Sequence, residues 1–364
     1  VISMNPNQLA HEILHNKIIK DDIVEGDLSS IVARGLIFSS VDFSRASLNG
    51  ADFSQSSFAD CRFDGVDFSG AALDNASFMN CSLIASSCHS RHLSNCYFVG
   101  CNFKQAQFQS VSFKKVILNG CSFEDALFSE ISATESVYAD CDFARSTFTD
   151  LKLKNSSLVN ADLRSSIFLP TRVENSVLVQ VMLSDTGLQK VHVADSSFNN
   201  AVIKNVDFTS SSIERSHFSN SHLCGLDFSG CQMTGSVFHG ANISQCNFSR
   251  THLANSNFEL ASISDSSFVE SALAQSRFKT AEMSDVDFSS AFCVQSDFSS
   301  ATLNQVDFSG ADLMYGDFHD VSGEFELSAA QKNVVAGTNE ERLKAESRFS
   351  NPTQGTTARS GGAQ

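Results

Sequence analysis

The residues best suited to chemistry lie near the start of the chain. Residues 11–15 read H-E-I-L-H, a match to the H-E-x-x-H motif in which two histidines one helical turn apart share a zinc ion and the glutamate acts as a base. Asn5 and Pro6 predict the start of a helix that reaches about Asn16. The motif also fits the polar edge of an amphipathic helix, and no third ligand is spaced to complete a metal site. We therefore expect no catalytic residue and no metal ion here.

Cysteines form a second candidate site. Five of them recur every twenty residues, at Cys61, Cys81, Cys101, Cys121 and Cys141. Thiolates bind soft metal ions, but cysteine is also a small hydrophobic residue, and Ala and Ser fill the equivalent positions elsewhere in the chain. The chain has 11 cysteines, an odd number without the spacing of a disulfide framework, which is typical of a reducing compartment. We expect this column to be buried, reduced and free of metal.

These side chains are positioned by a repeat of five residues. Among the 57 positions taken every fifth residue from Phe38 to Phe318, 29 are Phe and 16 are Leu, although the chain has only 32 Phe in all. The residue two places earlier is mostly small. A period of five fits neither an α-helix nor a simple strand, but it fits a coil of four short sides. The cysteine spacing indicates twenty residues per coil, which predicts about 14 coils and a rod of roughly 70 Å.

The repeat resembles a known family. Residues 51–55 (ADFSQ), 161–165 (ADLRS) and 311–315 (ADLMY) are similar to the A(D/N)LXX consensus of pentapeptide-repeat proteins. The resemblance implies an all-β fold, a right-handed quadrilateral β-helix with Phe or Leu stacked in its core. We expect a helical cap at 1–27, the β-helix at 28–322, a cap helix at 323–337 that begins after Ser328, and a tail at 338–364 that is disordered apart from a turn or two near Glu340–Arg348.

Composition limits the kinds of partner and the locations that we expect for the chain. The net charge of −16 disfavours direct binding to nucleic acid. No stretch is apolar enough to cross a membrane, and the first thirty residues lack a secretion-signal pattern. We expect no cofactor, and either a bacterial cytoplasmic location or delivery to a host cell without a cleaved signal.

The outward positions predict a docking surface. When the residues are sorted by coil, one face carries an apolar stripe that consists of Met79, Tyr97, Val99, Ile117, Val137, Val159, Val177 and Val179. The preceding face carries the bases Lys114, Lys152 and Lys154. An exposed apolar patch of this kind usually marks an interface, although β-branched residues also favour strands for their own sake. We expect a protein partner, or a second copy of the chain, at this stripe.

An alternative function rests on charge. Residues 259–320 contain eleven acids and two bases, a net charge of −9, and the resemblance includes a branch of proteins that imitate DNA and protect topoisomerases. Asp also precedes the core position throughout the family, as at Asp287, Asp297, Asp307 and Asp317. The first hypothesis is therefore a non-catalytic scaffold, similar to the effector-type members of the family, and the second is a DNA mimic.

Overall fold

Each coil of twenty residues has four sides, and each side carries one large inward residue. The same sides of successive coils stack into four walls. The computed structural model describes residues 11, 15 and 18–344, which form a parallel β-solenoid of about 15 turns with almost no helix. We number the walls by their first inward residues, so that face 1 contains Phe38, face 2 Phe43, face 3 Leu48 and face 4 Phe53. Each strand pairs with the strand twenty residues later, as Phe38 does with Phe58. The predicted fold class and the predicted coil length are confirmed.

Three parallel sheets form the walls. Face 1 is a nine-stranded sheet with strands at Ile18–Ile19, Ile37–Ser39, Ser57–Ala59, Ser77–Met79, Tyr97–Val99, Ile117–Asn119, Val137–Ala139, Ser157–Val159 and Val177–Val179. Faces 3 and 4 share a ten-stranded sheet with strands at Ser87–His89, His92–Ser94, Gln107–Gln109, Ser112–Lys114, Leu127–Ser129, Ser132–Thr134, Thr147–Lys154, Ile167–Glu174, His192–Ala194 and Ser212–Glu214. An eight-stranded sheet, chiefly on face 2, has strands at Met182–Gly187, Val202–Asp207, His222–Cys224, Asn242–Ser244, Ser262–Ser267, Glu282–Asp287, Thr302–Asp307 and Phe325–Glu326.

Residues with a left-handed backbone conformation form the corners between the walls. From residue 25 to residue 320, every fifth residue has a positive φ except Gly70 and Pro170, which is 48 non-glycine and 10 glycine residues at 60 positions. This conformation is costly for most L-residues and least so for Gly, Asn and Asp. Pro170 cannot adopt it because its ring fixes φ near −65°. The strand Ile167–Glu174 runs through the corner where Pro170 lies, as Thr147–Lys154 does through the left-handed Asp150.

Aromatic stacking fills the core. In the C-terminal coils, Phe occupies faces 1 and 3 while smaller aliphatic residues occupy faces 2 and 4. Phe258 and Phe278 stack on face 1 with ring centroids 4.8 Å apart, and Phe268 of face 3 meets Phe278 edge-on at 88°. Both arrangements suit the quadrupole of the ring. Each buried Phe contributes about 1.5–3 kcal/mol, so these stacks are the main stabilising element.

The small residue two places before each large inward residue can form a hydrogen bond that ties its coil to the preceding one. Ser56 Oγ donates to the carbonyl of Ala33 at 2.6 Å, and Ser146 Oγ donates to that of Phe123 at 2.7 Å. Both bonds span 23 residues. Cys121 Sγ makes the same contact with the Phe98 carbonyl at 3.4 Å. This geometry explains why Ser, Thr and Cys share the slot with Ala.

At the N-terminal end, the ladder begins before residue 28, the boundary that the sequence suggested. Ile18–Ile19 already pairs with Ile37–Phe38, and Ile23 is fully buried. The step from Ile18 to Ile37 is nineteen residues instead of twenty, which periodicity alone does not reveal. Most of the helix expected at 1–27 lies outside the described residues, of which His11 and His15 are helical.

At the C-terminal end, a short helix closes the core. Ser328 caps the helix Ala329–Lys332, which ends before Val335, the end expected from the sequence. Gln331 Nε2 donates to the carbonyls of Phe308 and Ala311, at 2.7 and 3.1 Å. Gln331 lies 23 residues after Phe308, so it takes over the bond that Ser makes in the coils. Residues 340–344, where the sequence suggested a turn or two within the tail, are helical, and residues 345–364 lie outside the described part.

Candidate docking surface

Two neighbouring columns on face 1 form the apolar stripe. In the first column, Ile117 pairs with Tyr97 on one side and with Val137 on the other, and Val177 follows beyond Ser157. The second column consists of Met79, Val99, Asn119, Ala139, Val159 and Val179. The structure therefore brings all eight apolar residues predicted from the sequence together on a single wall.

The stripe is exposed to an unequal degree. Met79, Tyr97, Val99 and Val177 are 40–54% exposed, whereas Ile117, Val137, Val159 and Val179 are half-buried between their neighbours. Beyond both ends the first column becomes polar, with Ser77 before Tyr97 and Ser197 after Val177. The result is a bounded and mainly apolar surface about six coils tall, which Ser157 and Asn119 interrupt.

The basic edge is weaker than the sequence indicated. Lys114, Lys152 and Lys154 lie exposed on face 4, which adjoins face 1. Lys154 Nζ lies 3.8 Å from the Glu174 carboxylate, and Lys152 Nζ lies 3.1 Å from that of Asp150. The coil register could have shown the first pair, because Glu174 is twenty residues after Lys154. Among the described residues, Lys114 has no ion-pair partner, so it is the strongest remaining source of positive charge.

A shallow depression marks one end of the stripe. It has a volume of about 340 Å³ and lies between Val177 and His217, with Asn175, Asp195 and Arg215 on its rim. Arg215 donates to the Asp195 carboxylate at 2.7 Å, which holds the guanidinium in place. The small residues Ser176, Ser196 and Ser197 line the floor of the depression. A partner that covers Val177 would find hydrogen-bonding groups directly beside it.

Two other exposed apolar groups were not predicted. Leu127, Ile167 and Leu169 lie on face 3, opposite the stripe, and are 49–57% exposed. Phe292 and Met314 lie on face 4 near the C-terminal end and are 57% and 43% exposed. Phe292 could have been found from the sequence, since it is one of three Phe outside the core phase. Both groups are smaller than the stripe.

The acidic residues carry local structural bonds. Asp287 Oδ1 accepts the backbone N–H of Ser289, and Asp307 Oδ1 accepts that of Ser309, both at 2.7 Å. The same bond recurs at many other Asp residues that precede a core position. It satisfies a donor at the entrance to the corner, which gives Asp a reason to occupy this position besides its charge.

The four aspartates named from the sequence lie on two opposite faces of the rod. Asp287 stacks directly on Asp307 on face 3, while Asp297 and Asp317 pair on face 1. Asp317 also forms an ion pair with Arg342 at 2.8 Å. The four acids named from the sequence thus form two short columns on opposite sides of the rod.

Of the H-E-x-x-H motif, the structure describes the two histidines. His11 and His15 are exposed, and their rings stack with centroids 4.4 Å apart. His15 Nδ1 lies 2.8 Å from the carbonyl oxygen of His11, a helical contact that uses one ring nitrogen. Glu12 lies outside the described residues.

The cysteine column is a packing feature of the corner between faces 1 and 2. All five of its members are buried and none is in a disulfide. Cys61 and Cys101 each donate to a carbonyl of the preceding coil at 3.5 Å, as Ser does elsewhere. Outside the column, burial raises the pKa of Cys96 to about 12, so that thiol stays protonated at neutral pH.

The walls, corners and stacks define a class of protein, the parallel β-solenoid with a five-residue repeat. A model of the pentapeptide repeat region matches residues 36–108 and 241–318, and a model of eight pentapeptide repeats matches residues 201–240 and 211–250. The chain belongs to the pentapeptide-repeat proteins. Residues 93–168 also match a model of the SV2A/B/C luminal domain. No curated protein matches the chain.

Several solved structures are similar to the chain. HetL, a pentapeptide-repeat protein involved in heterocyst differentiation regulation from Nostoc sp. strain PCC 7120, is 14% identical, with 88% of this chain and 94% of HetL covered and a TM-score of 0.15. A trypsin-treated form of QnrB1, a plasmid-mediated fluoroquinolone resistance protein, is 16% identical over 60% of this chain and 88% of its own, with a TM-score of 0.17. The A-module of the mannuronan C-5 epimerase AlgE6 from Azotobacter vinelandii is 8% identical over 80% and 91%, with a TM-score of 0.33.

None of the helices in the described residues is both long and apolar enough to span a membrane.

Proposed function

We propose that this chain is a non-catalytic scaffold that binds a partner protein, or a second copy of itself, through the apolar stripe of face 1. The observation that carries the proposal is the pairing of Tyr97, Ile117 and Val137 in one continuous column beside a second apolar column. Such a surface loses unfavourable contact with water when a partner covers it. Its eight named side chains are apolar, with the Tyr97 hydroxyl as their one hydrogen-bonding group, and Ser157 and Asn119 interrupt the columns. This composition suits docking better than proton transfer.

The partner should carry an apolar ridge with some acidic charge beside it. The ridge would cover Tyr97 and Val177, the more exposed anchors, while Lys114 would attract the acid. Because Lys152 and Lys154 are already paired with acids, we expect association to slow only modestly with added salt. We place the chain with the effector-type members of the family, which act inside host cells.

The test is affinity capture with matched variants. Wild-type chain, a Tyr97→Ser/Val177→Ser variant and a Leu127→Ser/Ile167→Ser variant are each immobilised and exposed to bacterial and, separately, eukaryotic lysate. The second variant removes similar side chains from the same part of the rod, but on the opposite face. We expect a protein that the wild type and the face 3 variant retain and the face 1 variant loses. Equal retention by all three forms would contradict the proposal, and the lysate that supplies the protein distinguishes a bacterial from a host partner.

One observation favours the DNA-mimic alternative, namely the stacking of Asp287 on Asp307. Stacked carboxylates about 5 Å apart repeat a charge along the rod, as a phosphate backbone does. The division of the four acids between opposite faces leaves only two on each wall, and this favours the scaffold. A topoisomerase that binds the wild type, binds the face 1 variant equally and is lost with Asp287→Lys/Asp307→Lys would reverse the ranking.

A further inference from the structure

The middle of the rod has too few aromatic residues to fill its own core. Between residues 149 and 197, Phe168 is the one Phe in the sequence. On face 4 the inward column runs Phe113, Ala133, Leu153, Val173, Val193. Ala133 therefore holds a position that a Phe ring fills one coil earlier, while the twenty-residue register of the coils is unchanged. Side-chain volume is missing at this point of face 4.

The structure shows an internal cavity at this place. A volume of about 100 Å³ lies along the axis and is lined by inward residues between Leu93 and Phe208. Tyr138, Leu158 and Leu188 remain 8–9% exposed although they point inward, whereas Phe258 and Phe268 in the C-terminal coils are 0% exposed. All three residues line the cavity, so their exposure accords with space inside the rod.

The chemistry of the lining is almost wholly apolar. Of its residues, Thr171 and Tyr138 carry hydroxyl groups, and the Thr171 hydroxyl oxygen is itself buried without a hydrogen-bond partner among the described residues. A cavity of this character does not hold ordered water, which needs two to four polar partners. It does offer dispersion contacts to an uncharged guest.

We propose that coils 93–208 enclose a dry binding cavity for a small, uncharged, apolar guest, from the size of a noble-gas atom to that of a single hydrocarbon ring. The cavity belongs to the core and not to face 1, so this inference stands apart from the proposed docking function. Entry requires transient opening of the wall. The strands Thr147–Lys154 and Ile167–Glu174, which run through their corners, border the cavity on two faces.

The experiment uses xenon as the probe. Crystals of the full chain are pressurised with xenon, and anomalous scattering locates the bound atoms. We expect xenon on the rod axis between the coils of Leu93 and Phe208, and none on the axis between Phe218 and Phe318, where the core is dense. An axis free of xenon in coils 93–208, or equal occupancy in the dense coils, would overturn the proposal.

A pair of variants tests the same cavity in solution. Ala133→Leu adds three carbons at the thinnest point of face 4. Leu253→Phe adds three carbons on the same face in the dense coils, where Leu253 is 0% exposed and lies between Met233 and Leu273 in its column. We expect Ala133→Leu to raise the melting temperature and to reduce the xenon-dependent ¹²⁹Xe shift severalfold. Leu253→Phe should lower the melting temperature, as overpacking does, and leave the shift unchanged. If Ala133→Leu melts lower and binds xenon like the wild type, the cavity is not where we place it.

Discussion

At the scale of single residues, the corner position is the most demanding in the repeat. Nearly every fifth residue is left-handed, including large ones such as Leu260 and Tyr315. These residues accept a strained backbone because the hydrogen bonds between coils fix the corner on both sides. Gly, Asn and Asp meet this requirement at the lowest cost, which explains why they are frequent at the corners.

A matched pair of glycines measures this cost. Gly230 has a φ of 69°, Gly187 has no left-handed φ, and an added Cβ would meet no atom within 4 Å at either site. We expect Gly230→Ala to lower the free energy of unfolding by about 1 kcal/mol, through backbone strain alone. Gly187→Ala should leave it unchanged or raise it slightly. Chemical denaturation measures both, and equal effects would show that the corners are not strained.

Cysteine reactivity provides a second test at this scale. Cys101 is buried in the column, and Cys224 is the one partly exposed cysteine among those described. Because a thiol must be reached and ionised before it reacts, we expect a thiol reagent to label Cys224 in the native protein and Cys101 only on unfolding. Native mass spectrometry should find no bound metal. Rapid native labelling of Cys101, or stoichiometric zinc or copper, would contradict our account of the column.

At the scale of elements, the two ends of the ladder differ from the coils between them. The C-terminal closure depends on Gln331, whose amide satisfies two carbonyls and whose side chain also accepts from the Ser328 N–H at 2.9 Å. Loss of one partner leaves buried polar groups unsatisfied. Within the described residues no further coil follows the last one, so this helix protects its edge from other strands.

Removal of the Gln331 amide should therefore loosen the end of the rod. We expect Gln331→Ala to lower the free energy of unfolding by about 1–3 kcal/mol and to speed hydrogen exchange of the amides of Phe308–Phe318. Lys332→Ala, next to it on the same helix, is the control and should change neither quantity appreciably. Unchanged exchange in the Gln331 variant would mean that the closure holds through its apolar contacts instead.

The sequence reveals the regular part of these elements and not the irregular part. The inward columns, the coil length and the stripe follow from a strict period, because one inward residue per wall leaves little freedom for the chain. The nineteen-residue first step at Ile18 depends on local backbone geometry that has no residue signature. The Lys154–Glu174 pair follows from the register, because Glu174 is twenty residues after Lys154. Prediction of the cavity near Ala133 requires the side-chain volumes on all four walls together, and a single column of the sequence does not give them.

At the scale of the whole molecule, the rod divides into a dense C-terminal part and a loosely packed middle. The stripe from Met79 to Val179 and the cavity between Leu93 and Phe208 occupy largely the same coils. The dense coils carry the acidic columns instead. Docking on the middle of the rod would thus engage the segment whose core has room to adjust.

The central claim is that face 1 binds a partner through its apolar stripe. The most direct measurement is the dissociation constant of the captured partner for Val177→Ser and for Ile167→Ser, by calorimetric titration, with thermal melting of both variants. The two side chains are 42% and 51% exposed, on opposite faces, so each change should cost the fold no more than about 0.5 kcal/mol. We predict that Val177→Ser weakens binding at least tenfold, since a few desolvated anchors dominate an interface, while Ile167→Ser binds like the wild type. Equal dissociation constants for the two variants, with normal melting, would contradict the account.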